Sequence, residues 1–161
     1  MKFLALAVAI LTLTGVSQAS AQTTTNNEIG PRVGLSINPD QFVVGGQINL
    51  PLESARGLAI SPNIELGVGD NVTVLQLNAD LDYHFDNAGP NWNPYVGGGI
   101  GLAFFDFNND AGGGSESELG VNLLGGLRFR QKNGSHLFTE LRLGIGDIPD
   151  AKVMVGWNFP M

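Results

Sequence analysis

Ser135, His136 and Glu140 are the residues of this sequence whose types suggest a nucleophilic enzyme. In acyl transfer a histidine takes the proton of a serine, and an acid orients the histidine. Adjacent residues of a β-strand point to opposite faces, so a strand through Ser135 and His136 would separate the nucleophile from its base. We therefore predict a polar turn and interior packing here, with no catalytic residue.

Asp106, Asn108 and Asp110 have the opening spacing of a calcium-binding loop, in which alternate oxygens converge on a hard cation. Gly112 lies one position late for the sharp turn of such a loop, and no acidic residue occupies the expected bidentate position. We interpret the segment as an acidic, solvated loop, with weak divalent-cation binding as the alternative.

A second group of possible metal ligands comprises Asp82, His84, His136 and Glu140. Their strands need not be neighbours, so an ordinary polar network inside the protein is the simpler interpretation. The sequence predicts no metal-binding residue, no cofactor-binding residue and no cofactor.

The N-terminus indicates export. Lys2 precedes the apolar stretch Phe3–Leu13, and Ala19-Ser20-Ala21 matches a cleavage site. The apolar stretch is shorter than the roughly 20 residues that a membrane-spanning helix needs. We predict a cleavable signal peptide at residues 1–21 and one domain at residues 22–161. Because the chain has Cys 0, neither a lipid-modified cysteine nor a disulfide is expected.

The segment from residue 71 to residue 85 alternates with the two-residue period of a β-strand. One face carries Gln76, Asn78, Asp80, Asp82 and His84, and the other carries Leu75, Leu77, Ala79, Leu81, Tyr83 and Phe85. The same two-faced pattern recurs between turn signals about eight times along the chain, and Gly 23 favours a β-protein over a helical one. We predict an all-β fold, an eight-stranded antiparallel transmembrane β-barrel of up-and-down topology with its apolar face towards lipid.

Charged residues fall on the polar face of these strands, in a nearly balanced mixture of signs. An eight-stranded barrel is just narrow enough for its interior to be filled by side chains, so opposite charges there are expected to pair. The predicted lumen charge network consists of Arg32, Glu65, Asp80, Asp82, Arg128, Arg130, Glu140, Arg142 and Lys152.

Aromatic residues collect at one common end of the predicted strands, as an interfacial girdle does in a membrane barrel. The predicted girdle consists of Tyr83, Phe85, Trp92, Tyr95, Phe129, Trp157 and Phe159. An even number of strands places both termini at this end, which we expect to face the periplasm.

The segment from Pro94 to Gly101, P-Y-V-G-G-G-I-G, resembles a strand of bacterial outer-membrane β-barrel domain proteins, which include the OmpA-like and OmpX-like small barrels. The resemblance implies the outer membrane of a Gram-negative bacterium as the location, after signal-peptide export. It also implies that Trp157 and Phe159 form an assembly signal for the barrel-assembly machinery. The expected partners are outer-membrane lipid, that machinery and periplasmic chaperones, and the chain is expected to be a monomer.

The sequence therefore predicts a small, non-enzymatic integral outer-membrane protein with a plugged polar lumen, contributing to envelope structure or surface interaction. The formal net charge of -7 makes nucleic acid an improbable partner. Two alternatives remain open. One is a secreted soluble barrel that binds an apolar ligand. The other is a lipid-modifying enzyme of the outer membrane.

Overall fold

The computed structural model describes residues 26–85, 88–107 and 114–161. The predicted signal peptide lies outside the described residues, as do Asn108, Asp110 and Gly112 of the possible calcium loop. No helix in the described ranges is both long and apolar enough to cross a bilayer.

Eight β-strands close into one barrel, in which every strand is antiparallel to both neighbours and the last pairs with the first. The strands are β1 Glu28–Ile37, β2 Gln41–Pro51, β3 Leu58–Val68, β4 Val72–His84, β5 Trp92–Phe107, β6 Ser115–Arg130, β7 His136–Gly146 and β8 Ala151–Pro160. The predicted fold class and strand number are confirmed. We call the end of the barrel where β1 starts and β8 ends the terminal end, and the opposite end the loop end.

The two faces of each strand differ as the alternation predicts. In β4 the side chains of Gln76, Asn78 and Asp80 are buried in the lumen, whereas Leu77 and Leu81 are exposed on the outside. A soluble barrel with an apolar ligand cavity would have the reverse arrangement, with apolar side chains inside. The exterior is thus an apolar surface that requires a non-aqueous environment.

Glycines of β5 make room for the polar row of β4. Gly99 pairs with Asp80 across the two strands, and Gly97 pairs with Asp82. A Cβ atom at Gly99 would lie 2.4 Å from Asp80 Oδ1, and one at Gly97 would lie 2.3 Å from Asp82 Oδ1. The glycine-rich segment is therefore needed because carboxylates of the next strand occupy the space of its side chains.

An apolar cluster closes the loop end of the lumen. Ile148, from the connection between β7 and β8, is 3% exposed and packs with Val72, Val74 and Ala103. Gly120 leaves space for it, because a Cβ there would lie 2.7 Å from Ile148 Cγ1. The buried charged side chains lie between this cluster and the terminal end, whereas Gln41 contacts the cluster itself, its Nε2 donating to the Val72 carbonyl oxygen at 2.9 Å.

Candidate functional site

The centre of the lumen contains a row of ion pairs with alternating charge. Arg32 Nε lies 3.2 Å from Glu65 Oε1, and Arg32 Nη2 lies 2.5 Å from Glu140 Oε1. Arg142 Nη2 lies 3.0 Å from the same Glu140 oxygen and 2.7 Å from Asp80 Oδ2. Each guanidinium therefore contacts two carboxylates, and strands β1, β3, β4 and β7 are joined across the interior.

Lys152 of β8 completes this row into a ring. Its Nζ lies 2.5 Å from Glu65 Oε2 and also donates to Gln76 Oε1. A chain of amide hydrogen bonds of 2.7–2.8 Å leads from there back to Asp80, through Gln76, Asn78 and Asn63. The network is therefore closed on itself and joins β1, β3, β4, β7 and β8 across the interior.

Every charged member of the ring is paired within the closed interior. Removing charges from water is costly, and the cost is offset only where counter-ions and hydrogen bonds satisfy the remaining atoms. Arg32 is 1% exposed, and its Nη1 also donates to Gln47 Oε1 at 2.7 Å. A filled, paired interior of this kind can hold the barrel wall together, and it leaves little space for solutes.

A separate polar group lies nearer the terminal end. Arg128 Nη2 is 2.6 Å from Glu28 Oε2, and its Nη1 is 3.2 Å from His84 Nδ1. His136 Nδ1 lies 2.6 Å from the other oxygen of Glu28. Arg128 therefore pairs with Glu28 and not with the central ring. Glu28 was not predicted from the sequence, although its place at the start of β1, four residues before Arg32, gives it the same inward face.

Two residues of the predicted network differ from the rest. Arg130 is exposed at the end of β6, where the strand reaches the barrel rim, so its assignment to the lumen was wrong. Asp82 is buried in the lumen but forms no salt bridge with any described residue.

Tyr95 is the girdle assignment that the structure contradicts. It is 4% exposed, its ring stacks on His84 at a centroid distance of 5.3 Å, and its hydroxyl donates to Glu140 Oε2 at 2.8 Å. The physical reason is strand alternation: Val96 faces outwards, so the adjacent Tyr95 faces inwards.

The other predicted girdle residues lie at the terminal end of the barrel, with ring contacts between neighbours. The Tyr83 and Phe85 rings meet edge to face at 4.9 Å, and the Trp157 and Phe159 rings stack at 5.8 Å. The six predicted girdle residues on the outside are all exposed except the half-buried Phe129; they are Tyr83, Phe85, Trp92, Phe129, Trp157 and Phe159.

The residues of the possible acyl-transfer site are not connected as a relay. Ser135 is buried, its hydroxyl donates to Asn133 Oδ1 at 2.6 Å, and it accepts from Trp157 Nε1 at 2.7 Å. His136 contacts Glu28, and Glu140 belongs to the ion-pair ring. Within residues 26–85, 88–107 and 114–161, no group of three or more acidic, histidine or cysteine residues could hold a metal ion.

Comparisons with known proteins identify the fold. No protein-family model and no curated protein matches the sequence of the chain. Among solved structures, it is similar to the N-terminal β-barrel domain of Pseudomonas aeruginosa OprF, with 21% identity and a TM-score of 0.70 over 86% of this chain and 100% of that one. Neisserial surface protein A is 11% identical, with a TM-score of 0.65 over 84% of this chain and 96% of its own.

The chain has the fold of a small outer-membrane β-barrel. The outer-membrane enzyme PagL shares this fold, with 14% identity and a TM-score of 0.52 over 83% of this chain and 99% of its own. The fold therefore supports a location in the outer membrane, and it is compatible with both enzymatic and non-enzymatic proteins.

Proposed function

We propose that this chain is a non-enzymatic integral outer-membrane protein whose plugged lumen is a structural core, and that it contributes to envelope structure or surface interaction. The observation that carries the proposal is the buried ring in which ion pairs join Lys152, Glu65, Arg32, Glu140, Arg142 and Asp80 and amide hydrogen bonds close the circuit. A conducting channel needs a continuous water path, and these contacts fill the cross-section where that path would run.

Planar-bilayer recordings of the purified protein test the plug. We expect no large stable conductance, because charge pairing leaves no continuous water path through the centre. Stable openings of porin size would contradict the proposal. Membrane fractionation together with heat-modifiable gel mobility checks independently that the protein is a folded membrane barrel, so a silent recording cannot be confused with failed insertion.

A non-enzymatic role is supported by the contacts of Ser135, whose hydroxyl bonds to Asn133 and Trp157 and to no base among the described residues. The lipid-modifying alternative predicts altered lipid A in cells that express the protein. We expect lipid A to be identical with and without expression. A modification that is lost in Ser135→Ala would favour the enzyme.

Lipid contact, chaperone delivery and recognition by the barrel-assembly machinery belong to the same proposal. The stacked pair Trp157 and Phe159 lies on the outer face near the end of β8, where an aromatic assembly signal is accessible before the barrel closes. The proposal takes the protein to be a monomer, since β1 and β8 pair within one chain and leave no open sheet edge.

A further inference from the structure

Unpartnered polar atoms surround a single small cavity in the terminal half of the lumen. The cavity has a volume of about 10 Å³ and is bordered by Asn49, Asp82, His84 and Arg128, among others. Each of these four residues has one buried side-chain atom without a hydrogen-bond partner among the described residues: Asn49 Oδ1, Asp82 Oδ1, His84 Nε2 and Arg128 Nε. A space of this size holds about one water-sized particle.

Asp82 is the buried carboxylate that lacks a counter-ion. It is 5% exposed, and within the described part of the chain it forms no salt bridge. The carboxylates of Glu28, Glu65, Asp80 and Glu140 each contact at least one arginine or lysine. An unpaired charge in a closed interior is strongly unfavourable.

The charge balance of the lumen leads to the same residue. The described interior contains four cationic side chains, Arg32, Arg128, Arg142 and Lys152, and five carboxylates, those of Glu28, Glu65, Asp80, Asp82 and Glu140. Among these arginine, lysine and carboxylate side chains, one negative charge is in excess. Since the other four carboxylates are paired, the excess is located at Asp82.

The groups that face Asp82 do not remove this charge. They are Asn49 on β2, Ser61 on β3, Asp80 and His84 on β4, Gly97 and Tyr95 on β5, Arg128 on β6, and Glu140 and Arg142 on β7. The guanidinium of Arg128 is engaged by Glu28. The guanidinium of Arg142 is already engaged by Asp80 and Glu140. The carboxylates of Asp80 and Glu140 make the electrostatic potential at Asp82 more negative. The site therefore favours one additional positive charge.

We propose that the Asp82 carboxylate binds one monovalent cation, a proton or Na⁺, beside the terminal-end cavity. A proton comes from bulk water and adds to a carboxylate oxygen, leaving a neutral carboxyl; Na⁺ is held by the charged carboxylate. Either one makes the interior electrically neutral. Entry is from the terminal end, because the apolar cluster around Ile148 closes the other end.

Thermal unfolding of the purified full chain in detergent micelles tests the site. In choline chloride, the unfolding temperature of the wild type should fall from mildly acidic to mildly alkaline pH, because fewer protons are then available to neutralise the buried carboxylate, which has no counter-ion. If Na⁺ is the ion, replacing choline by Na⁺ at constant ionic strength should restore the unfolding temperature at alkaline pH.

Asp82→Asn should reduce both dependences and should unfold at or above the wild-type temperature, because it removes the excess charge and keeps the shape. Asp80→Asn is the matched control two residues along the same face. It should unfold at a lower temperature at every pH, since it removes a counter-ion of Arg142.

An infrared band of a protonated carboxyl that is present in the wild type and lost in Asp82→Asn assigns the proton. Its absence together with a Na⁺ dependence assigns Na⁺.

Equal pH and Na⁺ dependences in Asp82→Asn and the wild type would overturn the proposal. So would a fall in unfolding temperature as large as that of Asp80→Asn. If Asp82→Asn does not fold, Asp82→Ser, which also lacks the charge, replaces it. Failure of both uncharged variants under conditions in which Asp80→Asn folds would show that the charge itself is required, and would refute cation binding.

Discussion

At the scale of single residues, arginine is suited to the centre of this lumen for a geometric reason. A guanidinium presents donors in a planar fork, so one side chain can bind two carboxylates at once. Arg32 contacts Glu65 and Glu140, and Arg142 contacts Glu140 and Asp80. Lys152, a point charge, occupies the one position where a carboxylate and an amide oxygen suffice.

Removing Arg142 should leave the buried Asp80 carboxylate without a counter-ion, whereas Glu140 keeps its contact with Arg32. We expect Arg142→Met to reduce the free energy of unfolding by about 3–5 kcal/mol, the range for breaking a buried ion pair. Arg130→Met is the control, because Arg130 is exposed at the rim, and it should change stability by less than about 0.5 kcal/mol. Urea unfolding of vesicle-inserted protein measures both, and equal effects would contradict the structural role of the ring.

At the scale of strands, β4 and β5 act as a complementary pair. The lumen face of β4 is polar and bulky, whereas the paired positions of β5 are glycines at residues 97, 99 and 101. The polar row can therefore lie flat against the wall, and the carboxylate of Asp80 remains within reach of Arg142 on the other side of the lumen.

A methyl group at Gly99 should disturb this packing. Its Cβ would lie 2.2 Å from the Ala79 carbonyl oxygen and 2.4 Å from Asp80 Oδ1, so we expect Gly99→Ala to cost about 1–3 kcal/mol of unfolding free energy. At Gly125 on β6 the nearest atom to such a Cβ is 3.7 Å away, which is ordinary contact distance. Gly125→Ala should therefore be neutral in the same unfolding assay, and a similar loss in both variants would argue against the steric explanation.

Strand number and, with the exception of Tyr95, the outward faces could be predicted from the sequence because alternation is a local property. The pattern from Leu75 to Phe85 needs no partner strand to be recognised. Contacts across the lumen depend on how the strands are staggered around the barrel, which no local pattern encodes. Lys152 on β8 reaches Glu65 on β3, whereas Asp82, on the same face as Asp80, reaches no cation among the described residues. The burial of Ile148 inside the lumen also depends on the assembled barrel, so the sequence did not predict it.

At the scale of the whole molecule, the barrel is apolar outside, polar inside and different at its two ends. Aromatic side chains surround the terminal end, and the apolar cluster of Ile148 fills the loop end. In a membrane, the cost of a charge on the outer face should therefore depend on its depth along the strand.

A pair of arginine substitutions tests this depth dependence. Leu77 lies near the middle of β4 on the outer face, and Leu77→Arg should cost about 2–4 kcal/mol of unfolding free energy. Val68 is also on the outer face but ends β3 at the loop end, so Val68→Arg should cost about 0–1 kcal/mol. Folding titrations in lipid vesicles measure both, and equal costs would mean that the middle of the barrel is not in the hydrocarbon region.

The closed loop end leads to a prediction about access from outside. The chain has no native cysteine, so Ala103→Cys, at a fully buried position in the same cluster as Ile148, gives a single reactive thiol. We expect Ile148→Gly to speed its labelling by a membrane-impermeant reagent about tenfold or more, because 1.4 kcal/mol of lost apolar burial corresponds to a factor of about ten. Gly114→Cys, exposed just before β6, is the control. It should be labelled equally fast whether residue 148 is isoleucine or glycine. Conductance should stay absent in Ile148→Gly, since the ring around Arg32 and Arg142 remains a second barrier below the cluster. Unchanged labelling of Ala103→Cys would show that Ile148 does not seal this end.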